Sequence, residues 1–122
     1  MIDFQNKPIF KLKESPGYAK SVEDLLIPDE QVIDAYQAGR DGVVFTDRRI
    51  VVVNVQGLTG KKRDYTSIPY SRIQAYSIET AGTFDMDAEL DVHLSGLGRL
   101  RFEFRARSRI MEISKHISAG VL

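Results

Sequence analysis

The chain has no cysteine, which removes disulfide frameworks, thiolate nucleophiles and cysteine-held zinc or iron–sulfur centres together. Its two histidines, His93 and His116, fall in different predicted elements and are too few for a metal centre unless carboxylates join them. Charge of one sign is not in excess either. Seventeen Lys and Arg balance 17 Asp and Glu, so no overall field draws the chain to nucleic acid or an anionic surface, and electrostatic recognition has to be local. Long apolar runs are missing too. Stretches such as Ile50 to Val53 fall far short of the roughly 20 residues a helix needs to span a bilayer. MIDFQNKPIFKLKES alternates polar and apolar residues where an export signal would be uninterrupted. The expected location is the cytoplasm, with a peripheral place on a membrane surface as the alternative.

What is present suffices for one domain over residues 1–122: 43% of the residues are hydrophobic, enough to bury a core without disulfides or metal. Pro8, Pro16 and Gly17 break residues 1–17 into an arm with at most a short helical or extended piece, free to pack elsewhere or on a neighbour. In AKSVEDLLI, Val22, Leu25 and Leu26 stand at helical spacing before Pro28, which predicts a short helix over 18–27. Seven β-prone runs follow, VIDAYQA, GVVF, RIVVVNV, RDYTSI, IQAYSIE, MDAELDVHL and RLRFEFRA, separated by short turns. They predict a mainly β, seven-stranded antiparallel, partly open barrel over 31–106.

The plainest strand places Met86, Ala88, Leu90, Val92 and Leu94 on one face and Asp85, Asp87, Glu89, Asp91 and His93 on the other. In the next, Leu100, Phe102 and Phe104 alternate with Arg99, Arg101, Glu103 and Arg105, so an acidic face meets a mostly basic one across the SGLG turn. Such cross-strand pairs are worth about 0.2 to 1 kcal/mol each and set register. Ile110, Ile113 and Ile117 then form a helical stripe, predicting an amphipathic helix over 108–119 that caps the barrel, with Ser108 as N-cap and Gly120 as C-cap.

The segments FTDRRIVVV, QGLTGKK and IPYSRI, within residues 28 to 119, closely resemble the bacterial pleckstrin-homology-like family, a domain of unknown function. In FTDRRIVVV, the resemblance places Phe45 in the core, Thr46 and Asp47 in the turn, and Arg48 and Arg49 beyond it. It implies a pleckstrin-homology-like barrel, ring-like homo-oligomers of pentamer-like form, and no enzymatic activity.

GLTGKK, residues 57 to 62, superficially resembles a phosphate loop, but two residues separate its glycines where four are needed, and a strand follows where a helix should. Lys61, Lys62 and Arg63 form the densest cationic run and are the candidate contacts for an anionic lipid, an acidic ligand or a protein partner. The first hairpin turn, AGRDG, offers only Arg40 beside Asp41, unlike the basic first hairpin of phosphoinositide-binding relatives. Asp85, Asp87, Glu89 and Asp91 lie about 6 to 7 Å apart along a strand, a row and not a calcium cage. Tyr36, Tyr65, Tyr70 and Tyr76 suit the edge of a core. The sequence thus predicts a non-enzymatic protein-binding or assembly domain without cofactor, metal or nucleic acid. Homo-oligomer contacts are expected at Asp85, Asp87, Glu89, Asp91, Arg48, Arg72 and Arg101. Binding of an anionic lipid or acidic ligand through Lys61, Lys62 and Arg63 is the alternative.

Overall fold

The computed structural model describes residues 1–4, 9–80, 82, 87–105 and 109–122. Among these residues eight strands form one curled sheet: β1 (Ile9–Glu14), β2 (Val32–Ala38), β3 (Asp41–Thr46), β4 (Arg49–Gln56), β5 (Lys62–Pro69), β6 (Ala75–Glu79), β7 (Ala88–Leu94) and β8 (Gly98–Phe104). Their order is β5-β4-β3-β2-β1-β8-β7-β6. Neighbours are antiparallel except β1 and β8, which run parallel with Ile9 beside Arg101 and Leu12 beside Phe104. The seven expected strands are all present. The eighth, β1, lies in what the sequence presents as an arm, and it joins the two halves of the sheet by pairing with β2 on its other side.

Alternation divides the apolar residues between two faces. Leu12, Val43, Phe45, Ile50, Val52, Leu90, Val92, Leu100, Phe102 and Phe104 are fully buried on the concave side, where each large side chain contributes about 1.5 to 3 kcal/mol. The Tyr36 and Phe104 rings meet edge-on there at 4.7 Å. Val44, Val51 and Val53 point the other way and are also buried, because a 3-10 segment, Pro16–Leu25, lays Val22 over them. This segment replaces the helix expected over 18–27. Only Val22 is fully buried in it, while Leu25 stays 37% exposed, so the tighter winding puts one side chain on the sheet where an α-helix would need a stripe.

Helix α1 (Ile110–Val121) closes one end of the curl with Ile110, Ile113 and Ile117, as expected of the amphipathic stripe, although it starts and ends two residues later than 108–119. Gly120 lies inside it and not at a C-cap. A Cβ there would sit 2.5 Å from Cβ of Tyr70, so the glycine lets the helix approach the Tyr70–Arg72 turn. Ser108, the expected N-cap, lies outside the described residues, as do Asp85 and Met86.

The strand directions gather the β2–β3, β4–β5 and β7–β8 turns at the opposite end. Residues 1–4 cross this mouth. The Ile2 amide donates to Oγ1 of Thr66 on β5 at 3.0 Å, and Phe4 is buried with its carbonyl oxygen against Gly98 at the start of β8. The arm therefore packs on its own barrel.

Candidate functional site

Residues on one face of adjacent strands stand about 5 Å apart however distant they are in sequence. On the convex face, below the β2–β3 and β4–β5 turns, this brings Arg40 from one turn to Arg63 at the start of β5. Both line a cavity of about 390 Å3, with Tyr18, Val55, Thr59 and Gly60 among its walls. Tyr18 comes from the 3-10 segment and lies flat on Gly42, where a Cβ would be 2.2 Å from its ring. Its hydroxyl donates to the Arg40 carbonyl oxygen at 2.8 Å. Burial, then the charge of Asp41, push the Tyr18 phenol above its ordinary range, against the opposing pull of Arg63.

The two guanidinium groups have no carboxylate partner among the described residues. Arg40 Nη1 donates to the Gly57 carbonyl oxygen at 2.8 Å, which fixes the arginine without neutralising it. The nearby acids are engaged elsewhere. Asp41 accepts from the Val55 amide at 2.8 Å, and Asp64 accepts from the Met1 amino group at 2.5 Å, an interaction that holds its carboxyl below the ordinary range. Gly57 and Gly60 adopt φ of 77° and 69°, so the glycines of GLTGKK serve the turn.

The run Lys61-Lys62-Arg63 does not converge. All three are exposed, but in β5 Lys62 shares the parity of Asp64 and Thr66, facing the mouth, while Arg63 shares that of Tyr65 on the convex face. Of the three, only Arg63 lines the cavity. Its partner Arg40 was visible in sequence only as a lone charge beside Asp41. No sequence signal marked Tyr18, because its role comes from the glycine it covers.

The expected oligomer contacts divide as well. Arg101 donates to both Asp91 oxygens, at 2.9 and 3.1 Å, and stands 3.8 Å from Glu89. Asp91 is held below the ordinary carboxylate range first by that hydrogen bond. This part of the acidic row supports the β7–β8 register, in which Asp91 faces Arg101, Glu89 faces Glu103, and Arg101 lies diagonal to Glu89. Asp87 is half-buried, and Arg48 and Arg72 are exposed in separate elements. His93 lies on β7 and His116 on α1, and no group of three metal-ligating side chains stands among the described residues.

Arg49, placed by the motif merely beyond the turn, is tied inward. Its Nε and Nη2 donate to Glu30 Oε2 and Oε1 at 2.8 Å each, and Nη2 also donates to the Leu25 carbonyl oxygen at 2.7 Å. Thr46 Oγ1 donates to Glu30 at 2.7 Å. Burial would raise the Glu30 carboxyl, but the hydrogen bonds from Arg49, Thr46 and the Ile27 amide outweigh it and lower it. Among the tyrosines, Tyr36 and Tyr70 are buried and Tyr76 meets Ser118 at the core edge, but Tyr65 is 38% exposed.

The family model of the bacterial PH domain matches residues 4–121. The uncharacterized protein YjqA of Bacillus subtilis is 42% identical over 97 residues, 78% of each chain. A DUF1696 family protein with a pleckstrin-homology domain from Shewanella loihica PV-4 has a solved structure similar to this one, with a TM-score of 0.75 and 37% identity over 92% of this chain and 98% of that one. A pleckstrin homology domain from Shewanella amazonensis SB2B superposes with a TM-score of 0.61 at 40% identity, covering 87% and 86%.

Proposed function

The chain belongs to the bacterial PH domain family, and from that premise we propose that it is a non-catalytic binding domain that seats an anionic group between Arg40 and Arg63. The observation that carries this reading is the pair of guanidinium groups lining one cavity with no carboxylate against either among the described residues. A cavity of that kind suits phosphate or carboxylate oxygens, which guanidinium forks bind with charge-assisted hydrogen bonds. Lys61 and Lys62 add attraction at the turn beside it. Leu58, fully exposed on the same turn, gives a lipid surface an apolar contact next to the cations. No helix among the described residues is long and apolar enough to cross a membrane, so lipid contact on this reading is peripheral.

Co-sedimentation with phosphatidylglycerol vesicles, against phosphatidylcholine vesicles, tests it. Two basic residues at about 1 kcal/mol each near an anionic surface correspond to a loss of roughly thirtyfold in the Arg40→Ser, Arg63→Ser double variant. Equal sedimentation of the two proteins would reject the site.

A second reading, homo-oligomer assembly, is supported by the sheet itself. It ends on β5 and β6, each with one side unpaired among the described residues, and exposed strand edges are templates for another chain. Pairing β5 of one copy with β6 of the next is a heterologous contact that closes into a ring if its rotation permits. Light scattering after size exclusion decides: a monomer at high micromolar concentration ends this reading.

A further inference from the structure

On the other flank of the β2–β3 turn lies a second cavity, of about 250 Å3, lined by Lys11, Lys13, Gln37, Gly39 and Arg105. It exists because β1 is inserted between β2 and β8. Leu12 is buried toward the core, so Lys11 and Lys13 on either side of it point outward. The parallel ladder puts Leu12 beside Phe104, and the Arg105 amide donates to the Leu12 carbonyl oxygen at 2.8 Å. One residue further on, Lys13 and Arg105 therefore stand side by side on neighbouring strands, an arrangement that like charges make unfavourable.

None of Lys11, Lys13 and Arg105 has an ion-pair partner among the described residues. Glu103 is beside Lys11 in register, but its charge also acts on Arg101. Glu14 lies beside Tyr36. Gln37 forms the ridge between the two cavities and lines both. Its Nε2 donates to the Gly39 carbonyl oxygen at 2.9 Å and its Oε1 accepts from Ser15 Oγ at 3.0 Å, so the ridge is neutral and fixed.

We propose that the ligand of this face carries two linked phosphate groups, one between Arg40 and Arg63 and the other among Lys11, Lys13 and Arg105, straddling Gln37. This rests on the reading that the first cavity takes an anion, and it adds that one anionic group does not fill the site. A soluble polyphosphate and a lipid headgroup bearing two phosphates share that chemistry. Linking the two groups makes the second contact intramolecular, which raises affinity by about 100-fold or more over a single group.

The test is calorimetric titration of the full chain with inorganic phosphate and with tripolyphosphate, for wild type, Arg40→Ser with Arg63→Ser, and Lys13→Ser with Arg105→Ser. Tripolyphosphate is expected to bind about 100-fold more tightly than phosphate, and each double variant to lose most of that advantage. Lys13→Arg with Arg105→Lys is expected to keep it. The Lys13→Ser, Arg105→Ser protein should melt no lower than wild type, since it loses a like-charge contact, and so its lost affinity is not lost folding. Full tripolyphosphate binding by that variant, with loss in Arg40→Ser, Arg63→Ser, overturns the two-phosphate proposal and leaves the first cavity standing. Full binding by Arg40→Ser, Arg63→Ser overturns both. Vesicles with cardiolipin or phosphatidylglycerol at equal charge separate the sources: preference for cardiolipin assigns a headgroup, and equal weak binding beside tight tripolyphosphate binding assigns the soluble anion.

Discussion

Replacing Arg49 by Met removes the guanidinium from Glu30 while keeping the bulk of the side chain. The Glu30 side chain is 1% exposed and that of Arg49 20%, so the variant leaves a carboxylate out of water with only Thr46 Oγ1 and the Ile27 amide as donors. Breaking a buried pair from one side costs about 3 to 5 kcal/mol, and the partial exposure of Arg49 argues for the lower end, about 3 kcal/mol. For a chain of this length that lowers Tm by about 10 °C. Urea denaturation at several pH values gives the assay.

The pH dependence has a definite sign. In the wild type the Glu30 carboxyl is lowered, so the pair's contribution is present above the unfolded value of about 4.3 and fades as pH falls through the lower folded value. In Arg49→Met, burial without the guanidinium raises that carboxyl, and the destabilisation fades as pH falls through the raised value. The gap between the proteins should therefore be widest near pH 7 and narrow progressively as pH falls below the unfolded value and through the lowered folded one. A gap below 1 kcal/mol at pH 7, or one that does not change with pH, refutes the assignment of Arg49 as the counter-ion of Glu30.

Gly42→Ala places a Cβ 2.2 Å from the Tyr18 ring; the ring must leave, and the expected result is about 1 to 3 kcal/mol of lost stability with weaker anion binding, stability returning when Tyr18→Ala is added. In Tyr36→Phe the buried Asp34 loses the hydroxyl donor at 2.6 Å and the Arg109 amide at the start of α1 loses its acceptor at 3.2 Å. Urea melts should show a loss of about 1 to 3 kcal/mol. Asp91→Asn removes a carboxyl that Arg101 holds low, so its deficit against wild type should be full above about pH 3.9 and shrink as pH falls from there through the native value, read as urea midpoints at pH 7 and at a series of lower pH values.

Most of the sheet was legible because a half-buried strand writes its environment in alternate residues. Ala88, Leu90, Val92 and Leu94 are buried as their alternation requires, and Leu100, Phe102 and Phe104 answer them from β8. The sequence allows the arm at most a short helical or extended piece, and the place of β1 in the sheet was not legible because IFKLKE stands between two prolines and its parallel partner is some ninety residues away, a pairing that leaves no turn signal. The 3-10 segment was misjudged because Val22, Leu25 and Leu26 satisfy helical spacing whether or not the sheet has room for all three. Gly120 stood where a cap would, and only the closeness of Tyr70 shows that its missing side chain is what matters.

The site was less legible, and for a reason rooted in the same geometry. A linear count finds Lys61, Lys62 and Arg63 together, yet a strand sends adjacent side chains to opposite faces, so the densest run is divided by the fold. Charges that look isolated are collected instead: Lys11 and Lys13 from β1, Arg40 from a turn, Arg63 from β5 and Arg105 after β8. The turn AGRDG, poor in basic residues by itself, becomes the centre of a cationic face built by its neighbours. On the β7–β8 hairpin, Asp91 and Glu89 are committed to Arg101, while Glu103 stands beside Lys11 in register at the margin of that face. Screening in physiological salt acts over about 8 Å, and an approaching anion therefore responds to the few cations within that distance and not to the zero sum of the chain.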